Sequence, residues 1–282
     1  YPFVSGFQKP QFNKMDLNND NQKDLVIFDA IGNKIFTYVW QNNAWVYAPQ
    51  YENIFPPISQ WLKLLDYNCD GKEDIFTASG PAYAIIPGEL VKSDGIRYFQ
   101  NTSIGNTFSF KQYYNLNNES VYVQDIKEDH LGNLWVATKT NGLLKLDGVS
   151  KKLVPLSSNV SLIHSDVRSL DFDKKGIAWI GTYEGISTIQ KDGTVRKVYN
   201  NPDKKTSFGK IKSVFTDKKG SVWFGSYYNG ISIWDESNNN FTNLNQNSGS
   251  SALSYDVVSS LAADANKNIY IGTEGAGITV FD

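Results

Sequence analysis

The sequence is poor in the residues on which most catalytic sites depend. Its 282 residues include one cysteine, one methionine and two histidines. A lone cysteine, Cys69, excludes an internal disulfide. The HExxH, GxSxG, P-loop and GxGxxG motifs, which mark common metal, nucleophile and nucleotide sites, are also absent from the sequence. We therefore predict that the chain is not an enzyme.

Long apolar runs and an excess of one charge are lacking too. No apolar run approaches the length of about 20 residues that a transmembrane helix needs, so no membrane insertion is predicted. The net charge is −2, and the basic residues are scattered, which disfavours binding to nucleic acid. The chain begins at Tyr1 without an initiator methionine or a signal peptide, as a processed or excised fragment would.

What the sequence does contain indicates β-structure. Aromatic residues make up 14% of the chain, glycine is abundant, and no stretch sustains the apolar period of about 3.6 residues that marks an amphipathic helix. Trp135, Trp179 and Trp223 recur at a spacing of 44 residues, and Tyr270 follows 47 residues later. Each aromatic residue lies in a repeat of strand, turn, strand, glycine-containing turn and strand, over 125–147, 169–190, 213–235 and 260–282.

Two further units, "FNKMDLNNDNQKDLVIFDAIGNKIFTYVW" and "LKLLDYNCDGKEDIFTAS", share this rhythm, the second with an insertion at 79–94. Six such units predict an all-β fold, a six-bladed β-propeller of four-stranded antiparallel blades. The last unit stops after its third strand, and an extended piece, "YPFVSGF", precedes the first unit. We expect this N-terminal strand to join the last blade and remove an exposed edge. An open fragment of a larger ring is the alternative.

Two acidic loops, "DLNNDNQKD" (16–24) and "DYNCDGKED" (66–74), place oxygen-bearing side chains at positions 1, 3, 5 and 9. Together with a backbone carbonyl from position 7, this spacing predicts two sites for a hard cation, Ca2+. Asx-rich turns without a metal are the alternative. The predicted ligands are Asp16, Asn18, Asp20, Gln22 and Asp24 in the first loop, and Asp66, Asn68, Asp70, Lys72 and Asp74 in the second.

The later repeats suggest a different kind of site. Their turns at 173–176 and 217–220, and the Asp129 turn, lack alternating oxygens and are predicted to be plain, solvated turns. We expect the repeated tryptophans to pack between blades. Tyrosines lie instead in the turns between second and third strands, where they either decorate the surface or form a polar, stacking platform for a sugar or a peptide. The candidate residues are Lys139, Tyr183, Glu184, Tyr227, Tyr228 and Asn229.

Two family resemblances divide the chain. Residues 1 to about 116 resemble the FG-GAP, or VCBS-like, propeller repeats of exported Bacteroidetes proteins, through "PQFNKMDLNNDNQKDLVIFD", "DYNCDGKEDIFT" and "GIRYFQNTS". Residues from about 121 to 282 resemble two-component regulator propeller repeats, found in periplasmic regions of hybrid histidine kinases, through "DHLGNLWVAT", "KKGIAWIGT", "KKGSVWFGS" and "NKNIYIGT". The predicted organisation is one propeller over 1–282, with two FG-GAP-like blades and the closing strand in 1–116 and four regulator-propeller-like blades in 117–282.

These resemblances imply an extracellular, cell-surface or periplasmic location. The function predicted first is a non-enzymatic, calcium-stabilised propeller that serves as a binding or scaffold module for a protein or glycan. It is expected to be monomeric unless it belongs to a larger surface complex. The alternatives are a ligand-sensing fragment that recognises an oligosaccharide, and an engineered or recombinant propeller without a natural ligand.

Overall fold

The computed structural model describes residues 7–78, 95–113, 121–147, 152–156, 161–198, 208–236 and 240–281. The chain folds into six antiparallel sheets, with short 3-10 helices at Pro49–Ile54 and Gly249–Ser251. In each sheet the strands follow one another in chain order. The predicted fold class is confirmed, because the six sheets are the blades of a β-propeller.

Contacts divide the chain into two compact units, Tyr1–Val121 and Tyr122–Asp282. The first unit contains two blades of four strands each. Blade 1 comprises β1 (Pro10–Met15), β2 (Asp24–Asp29), β3 (Lys34–Gln41) and β4 (Ala44–Tyr47), and blade 2 comprises β5 (Leu62–Leu65), β6 (Asp74–Ala78), β7 (Ile96–Asn101) and β8 (Phe110–Tyr113).

The second unit contains the other four blades. Blade 3 comprises β9 (Val123–Glu128), β10 (Leu134–Thr138), β11 (Leu143–Leu146) and β12 (Leu153–Pro155). Blade 4 comprises β13 (Val167–Phe172), β14 (Ala178–Thr182), β15 (Gly185–Ile189) and β16 (Val195–Val198). Blade 5 comprises β17 (Ile211–Thr216), β18 (Val222–Ser226), β19 (Ile231–Asp235) and β20 (Asn240–Leu244), and blade 6 comprises β21 (Val258–Ala263), β22 (Ile269–Thr273) and β23 (Ile278–Phe281).

Blade 6 has three strands in the described part of the chain. The segment predicted to supply its fourth strand falls almost entirely on residues 1–6, which lie outside the described residues, as does the insertion at 79–94. The pairing of the N-terminal strand with the last blade therefore stays a prediction.

The second strand of a blade is buried on both faces because neighbouring blades cover it. All five residues of β14 and of β18, whose neighbouring blades belong to the same unit, are buried, although period-2 alternation would place every other side chain in solvent. The outermost strands of the first unit are far more exposed: in β4 only Tyr47 is partly covered, and in β8 only Phe110. Position within the blade thus decides how apolar a strand must be.

The repeated tryptophans pack between blades, as predicted. Trp179 is 6% exposed, and its ring centroid lies 5.7 Å from those of both Phe224 and Trp234 in the following blade. Glycine permits this close approach, since a Cβ added at Gly181 would lie 2.4 Å from Cγ2 of Ile211. The aromatic residue of blade 6 differs, because Tyr270 is 37% exposed.

Polar side chains join the first strands of neighbouring blades. In the first unit, Asn13 of β1 donates to the carbonyl of Leu62 at 3.2 Å and accepts from the backbone N–H of Leu64 at 3.0 Å. In the second unit, Ser169 of β13 donates to Asp125 in the blade before it and accepts from Val214 in the blade after it. Within each unit, neighbouring blades are therefore linked by hydrogen bonds as well as by apolar contact.

Candidate functional site

An aspartate follows the first strand of every blade. In the first unit it opens a long acidic loop that leads to the second strand, whereas in the second unit it opens a five-residue turn. The loop and the turn put the same residue type to different structural uses. The six residues are Asp16, Asp66, Asp129, Asp173, Asp217 and Asp264.

The two acidic loops fold in the same way. The carboxylate of Asp66 accepts the backbone N–H groups of Asp70 and Gly71 at 2.9 and 2.8 Å, and Asp70 accepts that of Lys72 at 3.0 Å. The first loop repeats this set with Asp16 and Asp20, which accept the N–H groups of residues 20, 21 and 22. The shared spacing therefore produces one loop conformation in two blades.

Each loop ends in a fully buried carboxylate at position 9. Asp24 accepts the N–H groups of Leu17 and Trp40, and Asp74 accepts the N–H of Asn101 and the hydroxyl of Tyr98. Burial raises the pKa of Asp24 above its usual value, and the nearby charges of Asp20 and Asp16 add to the rise against the backbone hydrogen bonds. The pKa of Asp74 is raised for the corresponding reasons.

The carboxylates of a loop are thus close enough to repel one another. A hard cation would relieve this repulsion, and carboxylate and amide oxygens are the ligands that calcium prefers. In the described part of the chain, however, no group of three or more His, Cys, Asp or Glu side chains is already arranged around a metal position. The loop carboxylates face backbone N–H groups instead, so calcium binding requires some of their oxygens to turn.

The first acidic loop is fastened to the second blade. Asn19 at its tip donates to the carbonyl of Gly105 at 2.7 Å and to the amide oxygen of Asn106 at 2.8 Å. Lys23 forms an ion pair with Glu73 of the second loop. These contacts fix both loops on the same side of the first unit.

The turns of the second unit are not the plain, solvated turns that the sequence suggested. In blade 4, one carboxylate oxygen of Asp173 accepts the backbone N–H groups of Lys175 and Ile177 at 2.9 Å each, and the other accepts Nε1 of Trp179 at 3.0 Å. The same bond joins Asp129 to Trp135 and Asp217 to Trp223. The signal was present in the sequence, because Asp and Trp are six residues apart in three blades.

In two of these turns, the hydrogen bonds outweigh the effect of burial on the pKa of the aspartate. Burial alone would raise the pKa of Asp129, but the hydrogen bonds from Asn133, Trp135 and Leu131 hold it below its usual value. The pKa of Asp264 is also lowered, since bonds from Asn268 and Tyr270 outweigh desolvation. In Asp129 and Asp264 the hydrogen bonds therefore favour the ionised carboxylate.

The predicted tyrosine platform lies at the other end of the blades, where the second strand turns into the third. In the second unit, the residue after each second strand donates its backbone N–H to the carbonyl of the residue just before the first strand of the same blade. Four such bonds of 2.9–3.0 Å join Lys139 to Tyr122, Tyr183 to Asp166, Tyr227 to Lys210, and Glu274 to Val257. The backbone thereby places these side chains at equivalent points in successive blades.

Cations surround two of the predicted tyrosines. Nζ of Lys210 lies 4.3 Å from the ring centroid of Tyr183 and 5.8 Å from that of Tyr227, so it sits between neighbouring blades. The guanidinium of Arg168 lies 5.3 Å from the Tyr183 centroid, and Lys212 lies 4.8 Å from that of Tyr227. We call this cluster the tyrosine rim: Arg168, Tyr183, Lys210, Lys212, Tyr227 and Tyr228.

Tyr228 is the most accessible aromatic side chain of the rim, at 63% exposed, and its ring meets that of Tyr227 edge-on at 4.5 Å. Among the other predicted residues, Asn229 lies against Gly209, next to Lys210. Glu184 is exposed beside Tyr183 in sequence, and Lys139 occupies the equivalent point in blade 3. No contact described in the structure brings the side chain of Glu184 or Lys139 onto the rim tyrosines.

Sequence reasoning missed the charged residues of the rim. Arg168 forms an ion pair with Asp166 at 2.9 Å, and Lys212 forms one with Glu274. Asp166 is 6% exposed, and its Oδ1 has no hydrogen-bond partner in the described structure; the same holds for Nε of Arg168. Nothing in the sequence indicates that Lys210 meets the tyrosine of the preceding blade, since that contact depends on how blades pack.

Comparison with known proteins finds similarity to propellers and to a histidine kinase over part of the chain. Residues 115–140 match the two-component regulator propeller family. The chain is also 43% identical, over 178 residues, to histidine kinase P4 of Formosa agariphila. That alignment covers 62% of this chain and 13% of the kinase, so the chain spans a small part of its curated relative.

Solved structures share the fold at low sequence identity. The extracellular domain of a hybrid two-component system from B. thetaiotaomicron has a TM-score of 0.64 and 20% identity, over 99% of this chain and 34% of that one. The extracellular domain of a one-component system from the same organism has a TM-score of 0.62 and 18% identity, over 96% and 33%. Virginiamycin B lyase from Staphylococcus aureus has a TM-score of 0.55 and 12% identity, over 97% and 88%.

These structural similarities show the fold alone, which sensors and a lyase have in common. Among the described residues, no helix has the length and apolar character needed to span a membrane.

Proposed function

We propose that the chain is an extracytoplasmic, non-catalytic binding module that senses a ligand for a two-component type of protein. The observation that carries this proposal is the tyrosine rim, which gathers exposed aromatic and charged side chains from neighbouring blades. The match to regulator propeller repeats and the similarity to extracellular domains of two-component systems support it. On this proposal the ligand is an oligosaccharide, because an exposed ring beside hydrogen-bonding groups suits a sugar.

Binding to the chain itself tests this proposal. We expect a panel of oligosaccharides, screened by glycan array and then by titration calorimetry, to contain a ligand of the wild-type protein. Tyr228→Ala should weaken binding at least about tenfold through loss of a stacking surface, with little effect on thermal stability, since the ring is exposed.

The matched control is Tyr113→Ala, which removes a tyrosine of the first unit that is 38% exposed. That variant should bind as the wild type does. If neither a saccharide nor a peptide binds the wild type, or if Tyr228→Ala leaves affinity unchanged, the rim is not the sensing site.

We further propose that the acidic loops each bind one Ca2+ and that the ions stabilise the first unit. The residues that would hold the ion are the carboxylates at positions 1, 5 and 9, the Asn at position 3 and the carbonyl of position 7 in each loop. The pKa values of Asp24 and Asp74 are raised chiefly by burial and further by the charges of their acidic neighbours, and this cost to the ionised carboxylates supports the proposal. The resemblance of residues 1–116 to FG-GAP repeats points the same way and stays a prediction.

Calcium binding has a thermodynamic signature. A ligand that binds only the folded state stabilises it by about 2.7 kcal/mol per site at a hundredfold excess over Kd. Chelation should therefore lower Tm, and calcium should restore it more effectively than magnesium.

Asp20→Ala and Asp70→Ala should each remove one site in a calorimetric titration of metal-stripped protein. Asp192→Ala, in an exposed turn of the second unit, is the control. No uptake at millimolar calcium, or uptake that survives both substitutions, would mean that the loops are turns stabilised by hydrogen bonds alone.

A further inference from the structure

The tyrosine rim holds one positive charge that no carboxylate balances. Arg168 is paired with Asp166, and Lys212 with Glu274. Among the described residues, Lys210 has no carboxylate within ion-pair distance. The uncompensated ammonium group therefore lies between the two aromatic rings at the junction of blades 4 and 5.

Two aromatic rings lie against the ammonium group of Lys210. Its ammonium contacts the rings of both Tyr183 and Tyr227, and a hydrogen bond to Tyr183 raises the pKa of the lysine. A flexible surface lysine loses side-chain entropy when it binds an anion. A lysine already held by two rings loses less, so it binds an anion more favourably.

Buried polar atoms beside this cation lack partners. Asp166 Oδ1 is an acceptor without a donor, and Arg168 Nε is a donor without an acceptor, although the two residues are bonded to each other. A buried polar atom without a hydrogen bond is costly, and such atoms cluster where a ligand or an ordered water completes them. Both atoms are enclosed by protein, so a ligand reaches them only if this part of the rim moves.

Resting on the proposed function, we infer that the ligand is an acidic saccharide. Its carboxylate or sulfate group pairs with Lys210, and a sugar face packs on the exposed ring of Tyr228. A neutral saccharide would leave the charge of Lys210 unpaired. An acidic peptide would pair with the same charge, and a displacement experiment distinguishes it from an acidic saccharide.

Calorimetric titration with matched oligosaccharides tests this inference. The probes are a uronic acid oligosaccharide, the same oligosaccharide with its carboxyl groups reduced to alcohols, and a sulfated neutral oligosaccharide. We expect at least one acidic form to bind about tenfold or more tightly than the reduced form, with an affinity that falls as salt is added. Preference between uronate and sulfate identifies the anionic group, and either preference supports the inference.

Substitution of the lysine completes the test. Lys210→Gln should weaken binding of the acidic form about tenfold to a hundredfold and abolish its advantage over the reduced form. Lys210→Arg should retain most of the affinity, which shows that the charge matters. The control is Lys219→Gln, an exposed lysine in the β17–β18 turn at the other end of the same blade.

The ways in which this inference fails differ from those of the proposed function. Equal binding of the acidic and reduced forms, with Tyr228→Ala still harmful, would overturn the acidic class and leave a sugar sensor. Displacement of every saccharide by an acidic peptide would overturn the assignment of the ligand as a saccharide. If no saccharide or peptide binds at all, both the inference and the proposed function are wrong.

Discussion

The acidic loops of the first unit and the aspartate turns of the second begin with the same residue type but differ in how their carboxylates are satisfied. In both, an aspartate follows the first strand and accepts backbone N–H groups. The turn then closes on a tryptophan, which satisfies the second carboxylate oxygen with an indole N–H. The loop instead adds further carboxylates and buries the last of them, such as Asp74, within the blade.

The difference shows what decides the charge state of a buried aspartate. Asp129 and Asp264 have many donors and no acidic neighbour in their turns, and their pKa values are lowered. Asp24 and Asp74 are fully buried, which is the main reason that their pKa values are raised, and each also has fewer donors and two acidic neighbours. The turn is complete without a ligand, whereas the loop carries an electrostatic cost that a cation would remove.

The largest expected effect comes from removing the first aspartate in each setting. Asp217→Ala leaves the indole of buried Trp223 and the N–H groups of Gly220 and Ser221 without their acceptor, and should lower the free energy of unfolding by about 3 kcal/mol or more. Asp66→Ala, measured in chelator, should cost only about 1 kcal/mol, because its loop is exposed and water replaces the lost acceptor.

Denaturant titration of both variants measures this contrast, and Asp217→Asn, which keeps one acceptor oxygen, should be intermediate. Equal losses at the two positions would show that the loop and the turn stabilise their blades alike.

A smaller effect separates the two settings by pH. A carboxyl group whose pKa is raised on folding stabilises the folded state when it is protonated. The metal-free first unit should therefore gain stability as pH falls from neutral through the folded pKa values of Asp24 and Asp74. A carboxyl group whose pKa is lowered on folding has the opposite effect, because it stabilises the folded state when it is ionised. The stability from Asp129 and Asp264 is present above the unfolded pKa of about 3.9 and is lost as pH falls through their folded values.

Carboxyl NMR titration of Asp-labelled protein in chelator measures each group directly. Asp29, in the same blade as Asp24, is the internal control: burial would raise its pKa, but the backbone N–H groups of Lys9, Gln8, Ile31 and Gly32 lower it. If Asp24 titrates below Asp29, repulsion within the acidic loop does not control its charge, and the case for a cation is lost.

The smallest effect concerns one turn of the second unit that departs from the other three. Gly132, Gly176 and Gly220 adopt positive φ at the third residue after the aspartate, and Lys267 takes the same position in blade 6 at φ 75°. A residue with a Cβ pays about 1 kcal/mol or more in this conformation. Lys267→Gly should therefore raise the free energy of unfolding by about 1 kcal/mol.

The reciprocal change, Gly220→Ala, should lower it by a similar amount, because an added Cβ at Gly220 has no neighbour closer than 3.7 Å and strain is its main cost. If Lys267→Gly is neutral while Gly220→Ala is harmful, the backbone of blade 6 has relaxed around its lysine.

Much of the fold could be predicted from the sequence because the same pattern of strands and turns recurs in every repeat. The predicted four-stranded blades are present in five of the six sheets of the described residues, and the tryptophans pack between blades as expected. The Asp–Trp hydrogen bond was not predicted, because the prediction considered Asp173 only with the other residues of its turn. Trp179, which takes no part in the turn itself, lies across the hairpin. The rim cations were beyond prediction, since Lys210 approaches Tyr183 through blade packing and no local pattern encodes that distance.

In the second unit, the backbone hydrogen bonds of the residue after each second strand have a consequence for how the surface can vary. They involve only main-chain atoms, so these bonds do not depend on which side chain stands at that point. Four blades carry Lys139, Tyr183, Tyr227 and Glu274 there, a basic, two aromatic and an acidic residue on one scaffold. The side chain at each position can thus be substituted independently. A small set of substitutions can change which molecules bind this surface while the backbone of the blades is retained.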